Sequence, residues 1–256
     1  MRAIAIMNNK GGVGKTVTAI NLADLLAREH GKRVVLCDCD GQRNLTDFYD
    51  LPGYDEDTCF NTAALLLCDG EAVWSDNLVP ITNPAGLWLI PGSTDLYNMD
   101  LECVRDGAHE PLRMREFVEA AKGDGDMDFF LFDCPPGFTV SSVGALMAAD
   151  EVIVPVTVDG FSIRGLDTMA RQIRTIRRAG VRRVRVLITQ YHKCSVVRAG
   201  EELLRQSGFE VFQTMIRRTV KVPESTFHGK PLAEYAPGSN AANDYRSLVR
   251  ELLEEV

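Results

Sequence analysis

Three glycines, two lysines and a threonine lie within the run Asn9-Lys10-Gly11-Gly12-Val13-Gly14-Lys15-Thr16. Glycines at 11, 12 and 14 let successive backbone N–H groups turn toward one anion. Lys15 has the length to reach β- and γ-phosphate oxygens, and the Thr16 hydroxyl is a ligand type suited to Mg²⁺. A strand-like apolar run precedes the loop, and Ile20–Ala27 follows with helical spacing, so a helix N-terminus adds its positive end to the cradle. Glycine-rich turns also join strands to helices for steric reasons alone. The Lys-Thr pair in register selects the nucleotide reading for residues 10–17, with Val17 opening the helix.

Two further strand ends carry acids. One is Cys37-Asp38-Cys39-Asp40-Gly41-Gln42-Arg43-Asn44, and the other is Phe129-Phe130-Leu131-Phe132-Asp133, followed by Cys134-Pro135-Pro136-Gly137. In open α/β sheets ligands bind beyond the carboxyl ends of parallel strands, which places these carboxylates beside the phosphate loop. Asp133, after four apolar residues, suits a buried strand presenting one carboxylate to a Mg²⁺-bound water. Asp38 and Asp40 could alternatively cap a turn. Cys134 reads as a small buried residue.

The elements that must position these groups recur along the chain. Arg2–Met7, Arg33–Cys37, Leu87–Ile90, Asp128–Phe132, Glu151–Val156 and Val184–Thr189 read as strands buried on both faces, with helices between most of them. The alternation predicts a three-layer α/β/α domain: a mainly parallel twisted sheet with helices on both faces, joined by right-handed crossovers. Neither a repeat nor a low-complexity linker divides it, so residues 1–256 are expected to form one domain. Asp50–Thr58 and Gly123–Asp128 read as surface loops.

The 256 residues are 45% hydrophobic and 25% charged, an ordinary globular composition. Twenty-eight basic against thirty-six acidic side chains give −8, which excludes a general attraction to polyanions. The charge is nevertheless segregated. Between Arg164 and Lys221 fourteen basic residues face four acidic ones, +10 locally, leaving −18 elsewhere. On a helix from Ser162 to Ala179, Arg164, Arg171, Arg174 and Arg178 fall within an arc of about 80°, at about 100° per residue. Leu166, Met169, Ala170, Ile173 and Ile176 fill the adjoining arc, and Arg177 breaks the pattern. Such a ridge docks by its apolar side and leaves guanidinium groups for phosphates, or else pairs with the acidic remainder. No stretch is long and apolar enough to span a membrane, and Met1 leads straight into the first strand, so a cytoplasmic protein is expected. Seven cysteines, an odd number, read as reduced structural thiols.

The run from Lys10 to Thr16 resembles the deviant Walker A box of the ParA/MinD ATPases, a class of P-loop NTPase. The resemblance implies ATP and Mg²⁺ as ligands, and a homodimer sandwiching two ATP molecules in which Lys10 contacts the nucleotide of the opposing protomer. Residues 38–44 are similar to the family's D-x-D-P-Q-x-N box. Asp40 would thus orient the attacking water, while Asp38 supports the Mg²⁺ site with Thr16 and Asp133. Lys10, Lys15 and Asp40 are the implied catalytic set. Gly41 stands where the family has proline and is expected to loosen this segment. Residues 133–136 match the family's D-x-P-P switch.

Ile216-Arg217-Arg218-Thr219-Val220-Lys221, Glu224, His228-Gly229-Lys230 and Tyr235 look like the family's C-terminal stretch, I-P-R-x-V-R-x-x-E with H-G-K and Y. This implies a nonspecific DNA surface with Arg218 and Lys221 foremost, joined by the Arg164–Arg178 ridge. Arg217 replaces a proline that lies near the adenine, and His228 reads as a turn residue. The function implied is ATP-dependent DNA partitioning on the nucleoid, with slow hydrolysis stimulated by a ParB-like centromere-binding partner. Val17 and His192-Lys193-Cys194 depart from the family pattern.

Three relatives of the same superfamily give alternatives. A MinD-like positioning ATPase would use a C-terminal membrane helix; the amphipathic segment from Asp244 has two basic and four acidic residues, the wrong sign for anionic lipid, and is expected to pack on the sheet instead. An iron-protein reductase would need Cys103 and Cys134 in Gly-rich surroundings, whereas Leu101-Glu102-Cys103-Val104 looks helical. An ATP-dependent ligase would lack the DNA surface. With the first strand beginning at Arg2, an N-terminal helix-turn-helix, and with it direct repression of its own operon, is not expected.

Overall fold

The computed structural model describes residues 1–57, 59–67, 78–106, 111–158, 163–178 and 180–254. Its strands are β1 (Arg2–Ile6), β2 (Val34–Asp38), β3 (Val79–Ile81), β4 (Leu87–Ile90), β5 (Phe129–Asp133), β6 (Glu151–Thr157), β7 (Arg183–Tyr191) and β8 (Glu210–Arg217). The helices between and after them are α1 (Lys15–His30), α2 (Asn44–Phe48), α3 (Thr62–Leu67), α4 (Asp95–Asp106), α5 (Leu112–Asp124), α6 (Val140–Ala148), α7 (Ile163–Arg178), α8 (Ser195–Gln206), α9 (Lys221–Phe227), α10 (Leu232–Tyr235) and α11 (Asn240–Leu253).

Strand order decides where the acids go. The sheet runs β3-β4-β2-β5-β1-β6-β7-β8, all parallel except the short edge strand β3. In the β2-β5-β1 centre, Asp133 is in register with Ile6 on one side and with Asp38 on the other. The phosphate loop that continues β1 therefore leaves the sheet beside both acidic strand ends.

Alternation along the strands divides the interior into two cores. Ala3, Ala5, Val35, Cys37, Phe130 and Phe132 pack on one face, while Ile4, Ile6, Val34, Leu36 and Leu131 face the other, where α1 and α11 lie. Side chains buried on both faces are what a parallel sheet covered by two helical layers requires. The six strands expected from the sequence are all present. The expectation missed β3 and β8, because β3 has three residues with a central proline and β8 alternates exposed and buried positions rather than running apolar. Gly123–Asp128 is partly helical, since α5 extends to Asp124 before Gly125 ends it at φ 71°.

The C-terminal helix packs inside. Tyr245, Leu248, Val249 and Leu252 are buried in the core shared with α1, and the Tyr245 hydroxyl lies 3.2 Å from Thr18 Oγ1. Leu248→Ala is expected to destabilise the fold by about 2–5 kcal/mol, the usual cost of emptying such a site, as read by chemical denaturation. Among the described residues Cys37, Cys39, Cys59, Cys103, Cys134 and Cys194 are free thiols, and no helix is long and apolar enough to cross a membrane. Cys68, Thr58, Ser162, Ala179 and Val256 lie outside the described residues, as do the side chains of Arg164, Leu166, Met169 and Arg177.

Candidate nucleotide site

The phosphate loop is shaped by backbone that favours glycine. Gly12 and Gly14 sit at φ 72° and 88°, Gly14 caps α1, and no protein atom lies within 4 Å of where a Cβ would project from Gly11, Gly12 or Gly14. The cradle is thus open toward a ligand. Asn8 anchors its start, donating through Nδ2 to Pro155 O at 2.7 Å and accepting from Lys10 N at 2.9 Å. Thr189 donates to Val13 O at 2.8 Å, and Gln190 donates through Nε2 to Gly12 O at 2.6 Å. These three clamps were not found from the sequence. Gln190 could have been suspected only from its left-handed backbone, φ 52°, which sequence does not report.

Lys15 is 8% exposed and folds back across the loop, donating to Lys10 O at 3.2 Å. Burial pushes its ammonium below the ordinary lysine range, opposed by the charge of Asp133. Val13 is buried beneath the loop, and Val17 packs against the α1 core. Lys10 is exposed, its Nζ 3.3 Å from Thr157 Oγ1 on the same chain.

Asp133 is 2% exposed, and burial holds its carboxyl well above the usual carboxylate range, reinforced by Asp38 and opposed by a hydrogen bond from Thr16. Its Oδ1 is buried without a hydrogen-bond partner. An unpartnered carboxylate oxygen beside a threonine hydroxyl and a phosphate cradle is the donor set that a hydrated Mg²⁺ takes. The residues therefore fit the cation.

Asp38 is fully buried, and its pKa is raised to about 6 by that burial against the pull of Thr46. Oδ2 accepts from Thr46 N at 2.9 Å and Thr46 Oγ1 at 2.7 Å, and Oδ1 accepts from Asp40 N at 3.1 Å. Asp38 thus braces the loop that bears Asp40. Asp40 itself is half-buried, accepts from Gln42 N through Oδ1 at 2.9 Å, and faces the cleft.

The expected looseness at Gly41 is corrected by a neighbour remote in sequence. The Tyr97 ring lies flush against Gly41, so that a Cβ there would sit 2.9 Å from ring carbons. The Tyr97 hydroxyl accepts from Gln42 Nε2. Glu56 closes the same loop from the other side, paired with Arg43 and accepting from Thr94 Oγ1 at 2.8 Å.

Phosphate loop, Asp40 and Pro136 line a cleft of about 1170 Å³ together with Arg217, Val222, Phe227 and Tyr245. Arg217 is tied to Asp244, its Nη2 2.6 Å and its Nε 2.9 Å from the two carboxylate oxygens. Arg218 is exposed beside it, and Lys221 pairs with Glu224 at 2.7 Å. His228 ends α9 and stacks on Tyr235 with centroids 5.2 Å apart, a structural turn as expected. On α7, Arg171, Arg174 and Arg178 are exposed while Ile173 and Ile176 are buried, the two faces foreseen. Not every arginine in the sequence tally is a free surface cation. Arg185 is fully buried against Glu151, its guanidinium 4.0 Å over Phe212, and Arg183 and Arg205 pair with Glu210 and Glu201. Cys103 lies within helix α4, and Cys134 is buried.

Residues 1–186 match the family described as an AAA domain. The chromosome partitioning protein ParA of Caulobacter vibrioides is 33% identical over 99% of this chain and 94% of its own length. The chromosome-partitioning ATPase Soj of Thermus thermophilus is 34% identical over 100% and 97%. A crystal structure of cobyrinic acid a,c-diamide synthase from Mycobacterium smegmatis, with bound ADP and magnesium, superposes with a TM-score of 0.76 at 28% identity, covering 100% of this chain and 95% of that one. MinD from Aquifex aeolicus shares the fold, with a TM-score of 0.79 at 23% identity over 100% and 98%. Full-length similarity and the lysine-flanked phosphate loop together make this chain a member of the AAA-domain family and, within it, a ParA/Soj-type ATPase of the ParA/MinD superfamily.

Proposed function

We propose that this ATPase partitions DNA: ATP and Mg²⁺ bind, two copies close around two nucleotides, the dimer holds DNA without regard to sequence, and hydrolysis releases it. The observation that carries the reading is the meeting of Lys15, Thr16 and Asp40 at one cleft beside the β1, β2 and β5 strand ends, with buried Asp133 hydrogen-bonded to Thr16. Lys15 and the loop amides of Gly11–Thr16 and Val17 bind the phosphates, and Asp133 with Thr16 holds the cation, which when bound neutralises charge on the β- and γ-phosphate oxygens. Asp38 contributes its charge at the base of the site and fixes Asp40 through the intervening backbone. Asp40 orients the attacking water and draws its proton. Catalysis of this kind comes from positioning and charge neutralisation.

Lys10 is free of carboxylate partners among the described residues and is exposed directly before Gly11 of the cleft lining, so that it is available to a nucleotide on an opposing copy. It supplies transition-state charge in trans. Since each site is incomplete without its neighbour, turnover is slow until a ParB-like centromere-binding protein favours the closed dimer. The protein acts on the nucleoid, in the cytoplasm.

DNA lies on Arg218 and Lys221 and on the ridge of Arg164, Arg171, Arg174 and Arg178. Phosphates must displace Glu224 from Lys221, which makes the contact dependent on salt. Binding to a membrane is not part of this reading, because α11 uses its apolar face inside the fold.

Sedimentation with ADP or with a non-hydrolysable ATP analogue and Mg²⁺, with and without random-sequence duplex, at two salt concentrations, tests the cycle. The analogue alone is expected to give a dimer, and the dimer alone to carry duplex at low salt. A chain that stays monomeric with the analogue overturns the reading. Changing Arg218 and Lys221 together to Glu is expected to abolish duplex binding and leave basal ATP hydrolysis intact. Undiminished duplex binding at low salt would move the DNA surface elsewhere.

A further inference from the structure

The loop bearing Asp40 is held from outside by one helix. Tyr97, in the first turn of α4, lays its ring on Gly41, and its hydroxyl accepts from the Gln42 side chain. One turn further on, Asp100 accepts from Val140 N at 2.8 Å through Oδ1, which caps the start of α6 directly after the Pro135–Thr139 segment. Ser141 of that same turn donates to Cys39 O at 2.7 Å, beside Asp40. A single helix thus contacts both loops that leave the acidic strand ends, one by an aromatic face and the other by a carboxylate.

Gly41 is buried, and a Cβ there would come within 2.9 Å of the ring, so a side chain at 41 would have to push the half-exposed ring aside. Its φ lies outside the left-handed region, so the requirement for glycine is the neighbouring ring and not the backbone angle. Where relatives are expected to stiffen this turn with a proline, this chain has an aromatic ring pressed on a glycine. We propose that Tyr97 is the positioning residue for Asp40: its ring supplies the rigidity that the glycine lacks, and its hydroxyl fixes Gln42, whose backbone N–H holds Asp40 Oδ1. The inference rests on Asp40 orienting the water. Tyr97 touches neither nucleotide nor water; it acts through the loop. A displacement of about 1 Å at a catalytic group costs about a hundredfold in rate, so modest slack in this contact is enough to register.

The test is a cycle of Gly41→Ala, Tyr97→Ala and the double variant, with Tyr97→Phe and Asp40→Ala alongside. Steady-state kcat and KM, affinity for a fluorescent ATP analogue and thermal unfolding are measured on the full chain. Gly41→Ala and Tyr97→Ala are each expected to lower kcat by about ten- to a hundredfold with nucleotide affinity and melting temperature near those of the parent. Tyr97→Phe keeps the ring and is expected to retain most of kcat. In the double variant the added methyl group enters the space the ring vacated, so kcat should exceed that of Gly41→Ala. A general weakening of the fold would lower melting temperature and affinity together and would not be relieved by the second substitution.

Parental kcat in both single variants, or losses that simply multiply in the double variant, overturns the role of Tyr97 while Asp40→Ala remains inactive. Parental turnover in Asp40→Ala overturns instead the assignment on which the inference rests, whatever the Tyr97 variants do.

Discussion

Lys15→Ala is expected to lose ATP binding while keeping the fold. The lysine is nearly buried, and its hydrogen bond is to a loop carbonyl, Lys10 O at 3.2 Å, so its ammonium is held in place without a carboxylate in contact. Two carboxylates act on it through their charge, Asp133, buried and with its carboxyl pushed up by desolvation, and Asp40. The lysine is the positive charge that offsets them when a triphosphate arrives. Removing one partner of a desolvated charge pair costs about 2–5 kcal/mol, which is about 30-fold or more in affinity. The loop should survive, because Asn8, Thr189 and Gln190 hold it through other atoms. Titration calorimetry with ATP and Mg²⁺, paired with a thermal melt, checks both halves. An affinity within threefold of the parent would sink the prediction.

How much of this site could be read from the chain follows from the range of the contacts involved. The phosphate loop, Asp38, Asp40 and Asp133 each lie at a strand end or in a helix-opening turn, where a few consecutive residues carry both the chemistry and its position. Their meeting also follows once β2 and β5 flank one another, because register then brings Asp38 beside Asp133. Contacts across the chain were not legible. Tyr97 lies 56 residues from Gly41, Gln190 lies 178 from Gly12, and Thr189 lies 176 from Val13. Nothing in the local pattern marks these pairs, since a tyrosine in the first turn of an amphipathic helix is ordinary. Gly41 was open to misreading for the same reason: a glycine is loose only where nothing presses on it. The basic stretch fails differently. Summing charge along the chain counts Arg185 equally with Arg171, whereas the fold buries the first against Glu151 and leaves the second exposed.

Arg217 replaces the expected proline, and Asp244 takes up its Nε and Nη2 in the cleft that the phosphate loop also lines. A guanidinium fixed in this way is planar and pre-organised, suited to lie against a base or to donate to its edge. The pair also links β8 to α11, since Asp244 accepts from Arg217 N at 2.9 Å. One ion pair thus ties a residue of the cleft lining to the C-terminal helix.

Asp40→Ala is expected to keep ATP binding and dimerisation while lowering hydrolysis by about 10²–10⁴-fold, the range for a lost general base. Alanine preserves the backbone contacts of this residue, since Asp40 N still meets Asp38 Oδ1 and Asp40 O still accepts from Arg43 N at 2.9 Å. What disappears is the carboxylate, with its bond to Gln42 N. That leaves two explanations for an inactive variant, loss of the proton acceptor or loss of the turn, and Asp40→Asn separates them. Asparagine keeps an oxygen able to accept from Gln42 N, so the turn remains, but its amide cannot take a proton from water. Equal inactivity of the two variants in single-turnover assays assigns the effect to the carboxylate. Near-parental rates in Asp40→Asn would reduce Asp40 to a turn former and place the base elsewhere in the cleft. In the proposed cycle hydrolysis opens the dimer, so both inactive variants should also stay on duplex with ATP after a salt challenge that releases the parent. Their retention is measured by the lifetime of the complex in a flow cell.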